Sequence, residues 1–226
     1  MYGEITLIVD EAGVKRRLGL LADQSNKVIM RAANRAYPTG KKAISREAAR
    51  LYRVAQKDIN DQKTLKIIKA TRQEPTAILD YTGEHRNLYL WGGGKAVSPR
   101  VVIKWSHSVP IRDKKSGAIH FRYGTPNVRT YRAAVMRDTP MTPLAGFDNN
   151  KPFVQRVRSG EKSDFTGVFF RKNASRDSKL VGAEAPAIPQ ILKNDKIIAK
   201  FQREAGTMMQ KRLTHEIDNV LKGITK

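Results

Sequence analysis

The sequence predicts an α+β fold: N-terminal helices and a long C-terminal helix packed on a mostly antiparallel β-sheet, with a β-rich arm or insertion. Three observations predict it. Apolar residues recur at helical spacing near both ends of the chain. Between those ends, apolar and polar residues alternate with period two. The alternating stretches are short and are bounded by Gly, Pro and polar turn residues, as antiparallel strands are.

The run Glu4-Ile5-Thr6-Leu7-Ile8-Val9 reads as a short strand rich in β-branched residues. Asp10 or Glu11 then starts a helix. Val14, Leu18, Leu21, Val28 and Ala32 are spaced to share one face of it. Pro38-Thr39-Gly40 is expected to interrupt that helix, with Thr39 capping a second one that carries Ala43, Ile44, Ala48 and Leu51. Gln56-Lys57-Asp58-Ile59 adds one more turn. The period changes after Asn60, and Thr64–Ala70, Thr76–Tyr81 and Leu88–Trp91 read as strands. Gly92-Gly93-Gly94 must be a turn or loop, because glycine destabilises regular elements.

Val101, Ile103 and Trp105 alternate with Val102 and Lys104, and Ile119, Phe121 and Tyr123 alternate with His120 and Arg122. Lys114-Lys115-Ser116-Gly117 between them is expected to be a hairpin turn, so the pair would project as an arm. From Gly124 to Asn150 prolines 126, 140 and 143 suggest a long loop. Phe153–Val157 and Gly167–Lys172 are two more strands. The last element is the clearest. Ile198, Phe201, Ala205, Met209, Leu213, Ile217 and Val220 form an apolar stripe on the order of 35 Å long. Asn194 or Asp195 caps it and Gly223 stops it. The chain thus divides into an N-terminal part over 1–82, a β-rich arm over 83–150, and a part over 151–226 that completes the first domain.

A length of 226 residues with 40% hydrophobic content supports one domain with a real core. No apolar run is long enough to predict a membrane span, and the start lacks the pattern of a signal peptide. The absence of cysteine excludes disulfides, thiolate catalysis and Cys-ligated zinc. Forty-three Lys and Arg face 21 Asp and Glu, so the net charge is +22. That field attracts polyanions, nucleic acid first among them. An acidic partner protein satisfies the same charge. The basic residues are spread along the whole chain rather than gathered in a tail.

Catalytic patterns are missing. His85, His107, His120 and His215 show no metal-ligand spacing. Ser159-Gly160-Glu161-Lys162-Ser163 fails as a phosphate loop, because Lys does not follow the second Gly and the first Gly is absent. Asn173-Ala174-Ser175 matches a glycosylation acceptor without a secretion signal beside it. A metal-dependent nuclease would have to use scattered acids such as Asp58 and Glu84, which read more economically as partners for neighbouring cations. The sequence therefore predicts no enzyme, no metal and no cofactor. Arg129-Thr130-Tyr131-Arg132 combines cations with an aromatic ring in an irregular stretch, which suits contact with nucleic acid.

Several motifs together carry a resemblance. They are Gly167-Val168-Phe169-Phe170-Arg171-Lys172, Leu180-Val181-Gly182, Pro186–Leu192 with its Pro189-Gln190-Ile191, and Arg212-Leu213-Thr214-His215-Glu216-Ile217 in the long helix. Near the start stand Ala32-Ala33-Asn34-Arg35-Ala36, Lys41–Glu47 and Gln56–Ile59. This arrangement resembles the minor tail protein Z (tail completion) family of tailed phages. It covers both ends of the chain but not residues 83–150, and Asn173-Ala174-Ser175 replaces the family's usual glycine after the Arg-bearing strand. The resemblance implies a non-enzymatic structural role at the head-proximal end of the tail, where such proteins complete the tail and enable head–tail joining. It implies a homo-oligomeric ring, hexameric by family analogy, with tail-tube and head-connector proteins as neighbours, non-specific contact with genomic DNA, no membrane, and a place in the virion after assembly in the host cytoplasm. Lys41, Lys42, Arg129 and Arg132 are the expected nucleic-acid or channel contacts. Trp91, Trp105, Phe121 and Tyr123 are the expected subunit contacts. The alternative is a sequence-independent nucleic-acid-binding protein.

Overall fold

Two 27-residue helices lying against each other organise the first half of the architecture. In the computed structural model the described residues are all except 1, 8, 62, 90, 92–96, 104–106, 113–115, 117–118, 125–127, 145–151, 160–161, 174, 176 and 224–226. The fold is α+β. The chain forms two units, one of residues 1–86 with 185–226 and one of residues 87–184.

The first unit opens with strand β1 (Tyr2–Thr6) and helix α1 (Glu11–Leu18). Asp10 caps α1 by accepting from the Gly13 amide at 2.9 Å. Gly19, at φ +56°, ends it, since only glycine enters that region cheaply. A 3-10 segment, Gly19–Gln24, follows. Leu21 was expected on the buried face. It is exposed, as is Leu20, because the tighter 3-10 turn breaks the helical period.

Helix α2 (Ser25–Leu51) runs unbroken through Pro38, against the expectation of two helices. Pro38 is exposed and removes one hydrogen bond, a cost of about 3 kcal/mol. Against this, α2 buries Val28, Ile29, Ala32, Ala33, Ala36, Ala43, Ile44 and Ala48. Each large side chain among them contributes roughly 1.5–3 kcal/mol, so packing outweighs the proline. Gly40 is a contact residue rather than a breaker. A Cβ there would collide with the Phe201 ring and lie 3.1 Å from the Ala205 Cβ.

One turn, α3 (Gln56–Ile59), leads to β2 (Leu65–Ile68) and β3 (Ile78–Thr82). These complete an antiparallel sheet in the order β1-β3-β2. Its register aligns Glu4, Asp80 and Lys66 in one cross-strand column and Ile5, Leu79 and Ile67 in the next. Leu65, Leu79 and Tyr81 are buried. Asn34 of α2 ties the segment after β2 to the helices. Its Nδ2 donates to the Ala70 carbonyl at 2.9 Å, and the Ala70 amide donates back to its Oδ1 at 3.0 Å.

The chain crosses between units at β4 (Arg86–Asn87). Leu88–Trp91, expected as a strand, begins instead as a turn fixed by the Tyr89 amide donating to Asn87 Oδ1 at 3.0 Å. The second unit then holds β5 (Val97–Ile103), β6 (His107–Arg112), β7 (Ile119–Gly124), β8 (Val128–Ala133) and β9 (Thr142–Pro143). β5 pairs with β8 and β8 with β9, while β6 and β7 form a two-stranded ribbon. The arm is thus more elaborate than the expected single hairpin. β6 was missed because Pro110 and two polar residues hide its alternation. A two-stranded ribbon tolerates that proline, whose missing N–H need not serve a third strand. The stretch read as loop from Gly124 onward contains β8 and β9. The glycine run at 92–94, most of the Lys114–Gly117 turn and the Gly146–Asn150 run lie outside the described residues.

β10 (Phe153–Ser159), β11 (Lys162–Arg171) and β12 (Leu180–Gly182) form a second antiparallel sheet in that order. It falls within the unit of residues 87–184. Within that unit Asn87 binds the sheet's middle strand. Its Nδ2 donates to the Val168 carbonyl at 2.8 Å and its Oδ1 accepts from the Val168 amide at 2.9 Å, fastening β11 to the start of the arm.

The chain returns through β13 (Glu184–Ala185) and α4 (Ile188–Leu192) to α5 (Asp195–Leu221). Asn194 caps α5 with Oδ1, which accepts from the Lys196 amide at 3.0 Å, and Gly223 terminates it at φ +67°. Phe201, Ala205, Met209, Leu213, Ile217 and Val220 are buried, as their spacing predicts. Ile197 rather than Ile198 fills the first position of the stripe.

Candidate assembly and nucleic-acid surfaces

The helix pair carries a cationic end. Lys42, Arg46 and Arg50 stand four residues apart on α2 and are all exposed, so they form one row. Arg50 donates to Glu47, with Nη2 2.5 Å from Oε1. On α5, Lys200 Nζ lies 2.6 Å from Glu204 Oε1. The Arg50 hydrogen bond, with Lys200 and Arg203 nearby, holds the Glu47 carboxyl below its ordinary value. The Lys200 hydrogen bond, with Arg46 and Arg203 nearby, does the same for Glu204. The two acids are thus occupied internally, and the surrounding cations leave a positive surface. Sequence reading nominated Lys41 and Lys42. The structure places Lys42 in the row and Lys41 half-buried beside it. Arg46, Arg50, Lys200 and Arg203 were missed, although the four-residue spacing from Lys42 was a legible signal.

Farther along the same helices sits a buried acid. Glu216 of α5 is 2% exposed. Its Oε1 accepts from Arg35 Nη1 at 2.6 Å, and its Oε2 lies 3.8 Å from Arg31 Nη1. Exposed His215 is beside it, with Nδ1 3.1 Å from Asn219 Nδ2. Both arginines come from α2, so the motif glutamate joins the two helices.

The sheet of the first unit has an open edge. β1 is its terminal strand, and among the described residues no further backbone hydrogen bond reaches residues 2–6. Tyr2, Glu4 and Thr6 are exposed along it, and the Tyr2 hydroxyl donates to Glu4 Oε1. That bond, aided by desolvation and the Asp80 charge, pushes the Tyr2 phenol up to about 12. Behind Glu4, Asp80 is 8% exposed and its Oδ1 has no hydrogen-bond partner among the described residues. Beneath this edge a cavity of about 350 Å³ is lined by Gly3, Ile5, Tyr81, Pro189, Leu192 and Ile198, among others. Burial raises the Tyr81 phenol, whose hydroxyl lacks a partner among the described residues.

In the second unit, β10 is a terminal strand, paired among the described residues with β11, and Gln155 and Arg156 on it are exposed. Arg171 stacks over the Phe153 ring at 5.4 Å. Arg129 and Arg132, read from sequence as loop residues, both lie on β8, opposite Val102 and Ser98 of β5. Arg132 is exposed. Of the expected subunit contacts, Trp91 is 1% exposed, so its indole serves the chain's own interior and offers a partner almost no surface. Phe121 and Tyr123 lie on β7, opposite Pro110 and Ser108 of β6. Trp105 lies outside the described residues.

A cavity of about 550 Å³ is lined by Lys63, Thr64, Thr82, Gly83, Glu84, His85, Arg86 and Ile188. Asp58 is half-buried on α3 and Glu84 is exposed. Among the described residues no three acidic or histidine side chains are grouped to hold a metal ion, and no helix is long and apolar enough to cross a membrane. Comparisons with family models, with curated proteins and with solved structures each give no match to this chain.

Proposed function

We propose that this chain is a structural subunit of a phage tail, acting at the head-proximal end to complete the tail and enable its joining to the head. The observation that carries the reading is that each unit ends a sheet on an unlike terminal strand, β1 with Glu4 exposed in one and β10 with Gln155 and Arg156 exposed in the other. A ring needs two different complementary faces on every subunit. Open strand edges are ready templates for pairing with another chain. The resemblance to the minor tail protein Z family supplies the setting, with a ring, tail-tube and head-connector neighbours, and a place in the virion. The His215-Glu216-Ile217 turn that helps carry the resemblance has a mechanical part, because Glu216 links α5 to α2. The reading predicts a definite defect. Tails assembled without this chain should reach full length and fail to attach to heads. Normal infectious particles made without it would overturn the assignment.

A second reading, a sequence-independent nucleic-acid-binding protein, is favoured by the Lys42–Arg46–Arg50 row. Phosphate contacts weaken steeply with salt, so a salt titration of DNA binding separates the two readings. Binding that vanishes at moderate salt, in protein that still forms rings or binds tail tubes, favours the tail role.

A further inference from the structure

We propose that the cavity between the turn before β2 and the segment after β3 binds a phosphate monoester that also carries hydroxyl groups, the chemistry of a sugar phosphate. The inference goes beyond the tail role and does not depend on it. The whole lining belongs to the first unit, and the volume of about 550 Å³ lies within the range of small-molecule sites. Hydrogen bonds fix the walls. Asp61 holds the turn, its Oδ1 accepting from the Lys63 amide at 3.0 Å and its carbonyl from the Thr64 hydroxyl at 3.0 Å. The Thr82 amide donates to the Thr64 carbonyl at 2.9 Å and so ties this turn to the end of β3. On the far side His85 Nδ1 donates to the Ala185 carbonyl at 3.1 Å. Gly83 lies against α4, where an added Cβ would stand 3.4 Å from the Pro189 Cδ. A ligand here would meet a preformed place and order little on binding.

The lining carries two cations, Lys63 and Arg86, and among the described residues neither forms an ion pair. Arg86 is half-buried on β4, and a guanidinium presents a fork of donors that matches phosphate oxygens. Lys63 adds a point charge on a long stem. The lining also carries two acceptors. Glu84 supplies a carboxylate. A carbonyl can only accept, so the His85 hydrogen sits on Nδ1, and Nε2 of the neutral ring is an acceptor. Acceptors disfavour a bare anion and match hydroxyl donors. Cations and acceptors in one cavity therefore select a ligand with an anionic end and a hydroxylated body. The α2 row differs, because its acid, Glu47, is already bonded to Arg50. That surface attracts any polyanion.

The test is isothermal titration calorimetry of the purified full chain with ribose 5-phosphate, inorganic phosphate and ribose. Ribose 5-phosphate should bind about tenfold more tightly than inorganic phosphate, and ribose should give no heat of binding. Arg86→Gln should weaken ribose 5-phosphate about tenfold. Lys63 is exposed, so Lys63→Gln leaves the fold intact and should weaken it about threefold. Glu84→Ala should tighten inorganic phosphate by removing a like charge, and shrink the advantage of ribose 5-phosphate. A chain of net charge +22 attracts every anion, so Lys42→Gln/Arg46→Gln is the control and should leave binding unchanged. Circular dichroism checks the fold of each variant. Equal affinity for the two phosphates, an unchanged preference in Glu84→Ala, equal losses in Arg86→Gln and the control, or no binding at all would each overturn the site. A trinucleotide with a terminal 5′-phosphate that displaces ribose 5-phosphate identifies the end of a nucleic acid as the source of the group. One that does not displace it leaves a free sugar phosphate as the source.

Discussion

Arg35 Nη1 lies 2.6 Å from Oε1 of Glu216, a carboxylate 2% exposed between two helices. The glutamate is the buried member of the pair, and Arg35 is half exposed. Removing the arginine therefore leaves a buried charge with the weaker contacts of Arg31 and His215, each at 3.8 Å. Arg35→Ala is expected to cost about 2 kcal/mol, whereas Glu216→Gln, which keeps the shape and leaves hydrated arginines, should cost about 1 kcal/mol. Urea denaturation midpoints give both values. Equal losses would count against Glu216 as the group that needs the partner.

Asn34 exchanges two hydrogen bonds with the Ala70 backbone. An alanine at position 34 strands one amide and one carbonyl in a part-buried place. Asn34→Ala should lose about 2–3 kcal/mol, and Asn34→Asp, which keeps the acceptor but not the donor, should lose less. Hydrogen exchange at Ala70 is the direct readout. Unchanged protection there in Asn34→Ala would show that the side chain does not hold this segment.

Pro38 and Gly40 have opposite expected responses. Pro38 is exposed within a continuous helix, so Pro38→Ala restores a helix former and should stabilise by about 1 kcal/mol or more. Gly40 faces the Phe201 ring, so Gly40→Val should destabilise by about 2 kcal/mol or more through overpacking. Thermal unfolding of the two variants checks both. A valine tolerated at 40 would mean the helices separate there without cost.

These two residues also show how far the sequence could be read. A proline followed two positions later by glycine looks like a helix break, and local propensity supports that view. The break is absent because the alanine-rich face of α2 packs on α5 from Val28 to Ala48, and that energy depends on a partner strand of chain far away in sequence. The α5 stripe was legible because one face, one cap and one stop are all local. Strand β6 was not, since Pro110 hides the alternation and only pairing with β7 reveals it. Of the candidate contacts, Lys42 was legible in a cationic run, but the row it belongs to needs the helix to continue. Asp80 was beyond reach, because a carboxylate in an alternating strand reads as solvent-facing until the register puts Glu4 beside it.

Acid should loosen the cationic end of the helix pair. The Glu47 and Glu204 carboxyls are held below their ordinary value of 4.5 by Arg50 and Lys200 respectively. Groups with depressed pKa add stability that is present above the unfolded value and lost as pH falls through the folded one. Stability should therefore decline from about pH 4.5 downward, and Glu47→Gln/Glu204→Gln should flatten that decline. Denaturation midpoints measured across the acid range decide it. An identical acid slope in the double variant would remove these two acids as its source.

The Tyr2 phenol reports on the β1 edge. Its hydrogen bond to Glu4 and the nearby Asp80 charge hold it near 12. Glu4→Gln removes the charged acceptor and should bring this phenol down toward the ordinary range near 10. Ultraviolet titration of Tyr2 by difference against Tyr2→Phe reads the change. A phenol that does not move in Glu4→Gln would mean Glu4 does not set the charge of this edge.

The cationic row on α2 separates the two functional readings most cleanly. Lys42 and Arg46 are exposed one turn apart, so both reach a phosphate backbone laid along the helix. Each phosphate contact contributes roughly 0.9 to the slope of log affinity against log salt on duplex DNA. Lys42→Gln/Arg46→Gln should then lower that slope by about 2 and weaken binding equally on unrelated sequences. Arg50 is left in place because Glu47 depends on it. Filter binding over a salt series gives both numbers. A slope that does not change would take the α2 row out of DNA contact and leave its charge to an acidic protein neighbour.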